Sequence, residues 1–406
     1  MNTKKIKLYS LATTYPESTS STKPRFVHVL NRELVKLGIN VKVIVPHSKG
    51  ALTSETIDSV FVRRFRYLPE DYELNYISIA EEIRKSKFGK LKIIIMTLNL
   101  LIFTIFECLK EKPDIIHGQW GFPGGYIAFL VSKIFGTKYV VSIHGAETPL
   151  LKKFKLIQKL VINSLNKSSI VIVNSSYTRE EYIKMGLNKD KITKIYPTPN
   201  FVKHISDKEF LSKFRKQFTT NDSKIILFCG RLVERKGVEY LIRSLPEIKA
   251  KNIHLIIAGG GGQLTYLKDL SSSLGLDNKI TFFGPASHEE LGALHDTSDV
   301  FVCPSIIDST GETEGLGLVI PEAMESGLPV IATSVGGIVD IIQNEINGIL
   351  VPQKDPKAIA EAIDKILSDQ KLVERFVENS KKTVNEFQPK IIAEKHLSIF
   401  ENMMKT

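Results

Sequence analysis

Short apolar runs rich in β-branched residues, each followed by a helix-like stretch, recur along this chain and start over near its middle. That rhythm restricts the fold more than any other feature. In the first half the runs are "VKVIVP" at 41–46, "DIIHG" at 114–118, "YVVSIHG" at 139–145 and "SIVIVNS" at 169–175, with "RFVHVLNRELVKLG" at 25–38 as a helical pattern between them. The runs are apolar almost throughout instead of alternating, so the strands are buried on both faces, as in a parallel sheet sandwiched between helices. A second series follows: "KIILFCG" at 224–230, "IHLIIAG" at 253–259, "ITFFG" at 280–284, "VFVCPS" at 300–305 and "PVIAT" at 329–333. Two prolines in "YPTPNFVKH", 196–204, interrupt the pattern between the series. A chain of 406 residues is longer than one hydrophobic core serves. The expectation is two α/β domains, each a doubly wound parallel sheet, over 1–200 and 201–385, with 386–406 a C-terminal helix packing back on the first.

Charge separates the two halves. Residues 1–200 carry 31 Lys and Arg against 16 Asp and Glu, a net of +15, while the rest of the chain nets −4. A basic half suits anionic lipid, phosphorylated substrates or nucleic acid, and equally a solvated basic face with no partner. Cys108, Cys229 and Cys303 lie far apart with no CxxC spacing, so neither a disulfide framework nor a zinc site is indicated and a reducing cytosol fits. The opening "MNTKKIKLYSLATTYP" reads as a first strand, not a signal peptide. "IIIMTLNLLIFTIFECL", 93–109, is at the short limit of roughly 17–25 residues for a membrane span. Asn99, Thr97, Thr104 and Glu107 interrupt it, and the strand "PDIIHG" follows at once. A core helix is the first expectation, a membrane-surface helix the second and a span the third.

In doubly wound sheets, ligands sit at the carboxyl ends of the strands. After "KIILFCG" come Arg231 and, in "LVERKG", Lys236 and Gly237, just before the helix-like "VEYLIRSL". Two cations near a helix N-terminus make a diphosphate site, or they are solvated surface charges. "AGGGGQL" at 258–264 lacks the third glycine of the dinucleotide fingerprint, and no GxxxxGK[ST] exists, which disfavours a dehydrogenase and an ordinary nucleoside triphosphatase. The most pointed stretch is "EGLGLVIPEAMESGLP", 314–329. Pro321 is tolerated only near a first helical turn, so a helix from about Leu318 to Glu325 leaves Glu314 on the loop at its mouth and Glu322 inside it. Such carboxylates accept hydrogen bonds from sugar hydroxyls and a ribose, or they are a cap and an ordinary surface glutamate.

The set "GRLVERKG", "FFGPASHEEL", "SDVFVCPS", "EGLGLVIPEAMESGLPVIAT" and "VGGIVDII" closely resembles the C-terminal half of the GT4-type retaining glycosyltransferases, whose mark is Glu, seven residues, Glu. "VVSIHGAET" and "NSSYTREEYIKMG" extend the likeness, more loosely, into the first half. The resemblance implies the GT-B architecture: two Rossmann-like domains facing across a cleft, the sugar nucleotide on the second and the acceptor on the first. It implies that Arg231 and Lys236 neutralise the donor diphosphate, that Glu322 holds the ribose, and that Glu314 with the backbone of Gly315, Leu316 and Gly317 holds the donor sugar. Gly284 and Pro285 would lie by the base, and His144 would face the donor sugar. The catalytic set is then Arg231, Lys236, Glu314 and His144, with no metal and no cofactor, the nucleoside diphosphate sugar being a substrate.

Three departures from the family pattern bear more on the acceptor site than on the donor site. Ser20 and Ser21 stand where the family has a Gly-Gly pair, Asn200-Phe201-Val202-Lys203 replaces Asn-Gly-Val-Asp, and Asp340 stands where Glu is common. The implied reaction is transfer, with retention, to a hydroxyl of a saccharide or lipid-linked saccharide in cell-surface polysaccharide or lipopolysaccharide assembly. The implied location is the cytoplasm, with peripheral contact to the anionic inner face of the cell membrane. A hydrolysing epimerase of the same architecture and a non-catalytic nucleotide-sugar or nucleic-acid binding protein are the alternatives. The absence of basic residues interleaved with aromatics argues against nucleic acid.

Overall fold

The computed structural model describes residues 5–18, 25–73, 82, 87–202, 204–205, 207–219 and 223–405. The chain forms two compact units, Met1–Thr198 with Gln388–Thr406, and Pro199–Phe387.

The first unit is built on an eight-stranded sheet of β1 (Lys7–Leu11), β2 (Asn40–Pro46), β3 (Ser54–Ile57), β4 (Val60–Phe65), β5 (Ile115–Gln119), β6 (Lys138–Ile143), β7 (Ile170–Val173) and β8 (Ile192–Lys194). Its order is β3-β4-β2-β1-β5-β6-β7-β8. All pairings are parallel except β3 with β4, which corrects the expectation of a wholly parallel sheet here. The cause is local. Asp58 and Ser59 both take positive φ, 45° and 69°, the geometry of a two-residue hairpin turn whose twist matches its strands.

Neighbouring residues of a central strand serve opposite layers, because side chains alternate across a sheet. Tyr9 packs on one side with Met96 and Leu100 of the helix Lys87–Lys110, Val131 of Tyr126–Phe135 and Val161 of Lys155–Asn166. Leu8 packs on the other with Leu34 of the helix Phe26–Lys36 and Ile392 and Phe400 of Pro389–Lys405. The C-terminal helix is thus part of the first unit's second layer.

The second unit has a six-stranded, all-parallel sheet of β9 (Lys224–Cys229), β10 (Ile253–Ala258), β11 (Ile280–Gly284), β12 (Val300–Cys303), β13 (Val330–Thr333) and β14 (Ile349–Val351). Every residue of β10 and of β12 is buried, which is why these runs carry no polar alternation. The order β11-β10-β9-β12-β13-β14 reverses direction at β9. The chain winds outward from β9 to β11 on one side, then returns to start β12 on the other. The reversal between β9 and β12 is a switch point, and doubly wound sheets bind ligands at such points, outside the carboxyl ends of the strands.

Candidate active site

At the carboxyl ends of β9 and β12 the second unit brings Arg235, Lys236 and Glu314 together. A single helical turn, Glu234–Lys236, follows β9 and sets Arg235 and Lys236 side by side. Gly237 then takes φ +63°, and a Cβ there would lie 1.9 Å from the Pro304 carbonyl oxygen, so only glycine lets the two loops meet. The amide of Ile306 donates to Arg235 O at 2.8 Å, locking the β12 loop to the β9 loop. At the loop's far end, Gly337 N donates to Glu314 O at 3.0 Å, and a Cβ on Gly336, at φ +55°, would meet the same oxygen at 2.0 Å. The Glu314 backbone is fixed from two sides.

Lys236 Nζ and Arg235 Nη1 both donate to Glu314 Oε2, at 2.5 and 2.9 Å. Burial alone would raise the Glu314 carboxyl, but the two cations outweigh it and hold it at about 2. Glu322 behaves in the opposite way. Burial pushes its carboxyl up to about 7, only partly offset by the Asn200 amide, which donates to Oε1 at 3.3 Å, and by the charge of Lys236. One glutamate of the pair is a permanent anion, and the other titrates near neutrality. The helix that carries Glu322 runs Val319–Glu325, with Pro321 in its first turn.

The remaining sites expected from sequence fall as follows. Arg231 is exposed on the loop directly after β9, while Lys236 is buried. Gly315, Leu316 and Gly317 lie between Glu314 and the helix, but Leu316 is only 3% exposed, so its side chain belongs to the core. Gly284 ends β11 at φ +84° and accepts from Gly259 N at 2.8 Å, and Pro285, exposed, packs near Gly260 of the β10 loop. Ser20, Ser21 and Lys203 lie outside the described residues. Arg235 and Asn200 were not singled out as ligands of these glutamates. A cation adjacent to Lys236 was visible in "LVERKG", whereas nothing in the sequence indicates that the Asn200 amide reaches Glu322.

In the first unit, His144 follows β6, its ring edge-on to Phe26 and Trp120 at 4.8 and 5.2 Å between centroids. Burial holds its imidazole at about 3, with His396 adding a little repulsion, so it is neutral at physiological pH. Nε2 lies 2.9 Å from Gln119 Oε1, an acceptor, which places the proton on Nε2. Nδ1 is then a buried lone pair, and it has no partner among the described residues. A group of this kind accepts a hydrogen bond from a hydroxyl.

Known proteins resemble this chain over most of its length. Residues 24–198 match the Glycosyltransferase Family 4 model and residues 210–383 that of Glycosyl transferases group 1. An uncharacterized glycosyltransferase of Methanocaldococcus jannaschii is 34% identical over 343 residues, 82% of each chain. The chain belongs to the GT4-type glycosyltransferases. Among other relatives of this glycosyltransferase is the GDP-mannose-dependent α-(1-6)-phosphatidylinositol monomannoside mannosyltransferase of Mycobacterium tuberculosis, 30% identical over 50% of this chain and 54% of its own. HepE of Anabaena, solved in complex with UDP, superposes with a TM-score of 0.75 over 98% of this chain and all of its own at 18% identity. Sucrose-phosphate synthase of Thermosynechococcus elongatus superposes at 0.78 over 99% and 100% with 20% identity. The fold is GT-B.

Proposed function

We propose that this glycosyltransferase moves a glycosyl unit, with retention, from a nucleoside diphosphate sugar to a hydroxyl of a saccharide or lipid-linked saccharide, on the cytoplasmic side of a membrane. The observation that carries the reading is the charge arrangement at the carboxyl ends of β9 and β12. Breaking the sugar–phosphate bond leaves a diphosphate whose growing charge needs fixed cations. Lys236 and Arg235 are already aimed into one spot by Glu314 Oε2, and Arg231 stands on the same loop. Cations held this way need no reorganisation as charge develops and do electrostatically what a divalent metal does elsewhere, so the proposal includes independence from metal.

Glu314 Oε1, not engaged by either cation, is left to accept from a hydroxyl of the donor sugar. Glu322, in its ionised form, would take the ribose hydroxyls. Gly284 and Pro285 would border the base, and the Nδ1 lone pair of His144 would accept from a sugar hydroxyl. The lipid-linked acceptor is supported by the excess of basic residues in the first half and by the relative whose name specifies a phosphatidylinositol mannoside. The test incubates the protein with UDP- and GDP-sugars and a lipid extract in excess EDTA, following label and anomeric configuration by NMR. Transfer with retained configuration supports the reading. Release of free or epimerised sugar, or loss of transfer restored by Mg²⁺, overturns it.

A further inference from the structure

The helix Lys87–Lys110 shows that its apolar sequence serves two surroundings. Inward, Ile93, Met96, Leu100 and Cys108 are buried in the first unit's core. Glu107, also buried, accepts from Lys42 and Arg63 at 3.2 Å each and from Lys110 at 3.4 Å. Outward, Phe88, Leu91, Ile94 and Leu98 along the first half and Ile102, Phe106 and Leu109 along the second are between 50% and 75% exposed. Their spacing of three or four residues puts them in one stripe down the helix. At 1.5 Å per residue, the stripe from Phe88 to Leu109 is about 32 Å long. A contiguous apolar surface of this extent marks an interaction site, since single exposed hydrophobics are ordinary but aligned ones are not.

The stripe has a basic rim. Lys90 near one end and Lys110 and Lys112 at the other are exposed. The neighbouring helices of the same layer add exposed Ile134, Leu156 and Leu160 beside exposed Lys133, Lys155 and Lys159. This distribution selects the occupant. A second copy of the chain would bring lysine rim against lysine rim. An anionic bilayer accepts aliphatic and aromatic side chains just below its headgroups and lysines among them. A span is disfavoured by the inward face, because crossing would strip Glu107 from Lys42 and Arg63 and unroof the sheet.

We propose that the outward face of Lys87–Lys110 is a docking surface for an anionic lipid bilayer, with the helix lying in the headgroup layer while its other face stays on the sheet. The proposal deepens the lipid-linked-acceptor reading and rests on it for its purpose, though its evidence is independent of the sugar site. The full chain is floated with vesicles of phosphatidylcholine containing about one-third phosphatidylglycerol, and with phosphatidylcholine alone, without donor or acceptor. Leu98→Glu/Ile102→Glu and Lys90→Glu/Lys112→Glu are floated alongside, with circular dichroism to confirm folding; all four positions are exposed.

The expected result is binding to anionic vesicles, weaker binding to neutral ones, and at least a tenfold fall in partitioning for each variant. The Leu98→Glu/Ile102→Glu protein should still transfer sugar to a soluble acceptor. Failure of the wild type to float, or equal flotation of both variants, overturns the proposal. So does a dimer abolished by Leu98→Glu/Ile102→Glu without vesicle binding. Transfer activity without flotation would leave the glycosyltransferase reading standing, and flotation without transfer would do the reverse, so the two fail separately.

Discussion

Replacing Glu314 by Gln removes the anion shared by Lys236 and Arg235 and keeps the shape of the side chain. Two independent routes give the size of the effect. Deleting one partner of a buried ion pair costs about 3–5 kcal/mol, because the other charge stays buried. The Glu314 side chain is 12% exposed, and its carboxyl is held at about 2 against a usual 4.5. At about 1.4 kcal/mol per pH unit, that displacement corresponds to about 3 kcal/mol at pH 7. The sign follows from a depressed carboxyl. The stabilisation is complete above 4.5 and is lost as pH falls toward 2, where protonated Glu314 becomes equivalent to Gln. Calorimetry of both proteins should therefore show the melting of the second unit lowered by about 6–12 °C at pH 7, taking about 2–4 °C per kcal/mol for a unit of this size. At pH 3 the difference should shrink to about 1 kcal/mol. Saturating UDP or GDP, by placing phosphates against the unpaired cations, should recover more of the loss in the variant than it adds to the wild type. A difference below about 0.5 kcal/mol at pH 7, or one of equal size at pH 7 and pH 3, would refute the claim that these cations depend on Glu314.

Three further outcomes are expected. Lys236→Ala and Arg231→Ala should each lower the transfer rate by about a hundred- to a thousandfold with the fold retained, in single-turnover assays with the native donor; near-normal rates in folded protein would remove that residue from the diphosphate site. Glu322, with its carboxyl at about 7, should become the better acceptor as pH rises, so donor KM should fall between about pH 6 and 8; Glu322→Gln should flatten that dependence and raise KM while changing kcat little. His144 is held at about 3 and is neutral throughout that range, so His144→Asn should lower kcat/KM without removing any limb of the pH profile, and a lost limb near pH 6.5 would show that it titrates.

The places of the buried strands along the chain were carried by the sequence because burial on both faces forces continuous apolar runs, and those runs are short enough to count. "KIILFCG" and "IHLIIAG" could hardly be anything but central strands, and β9 and β10 pair there in register, Ile226 with Leu255. The spacing of Glu314 and Glu322 around Pro321 likewise placed one on a loop and one in a helix, since proline permits few positions for a helix start. The β3–β4 hairpin was missed, because its turn residues Asp58 and Ser59 reach positive φ without a glycine to announce it.

What the tertiary structure decided was which groups meet. Two chemically identical carboxylates differ by about five pH units, from about 2 to about 7, and no local pattern distinguishes them: Glu314 faces Lys236 and Arg235 across loops joined by Gly237 and Gly336, while Glu322 faces a single backbone amide. The same holds for the helix Lys87–Lys110. A segment apolar on all sides carries no signal for which side is covered, and only packing against β2, β4 and the helix Tyr126–Phe135 decides that Met96 and Leu100 are core while Leu98 and Ile102 are surface. Local sequence sets the conformation each segment can take, whereas charge state and exposure depend on neighbours distant in the chain, which is why those had to come from the folded molecule.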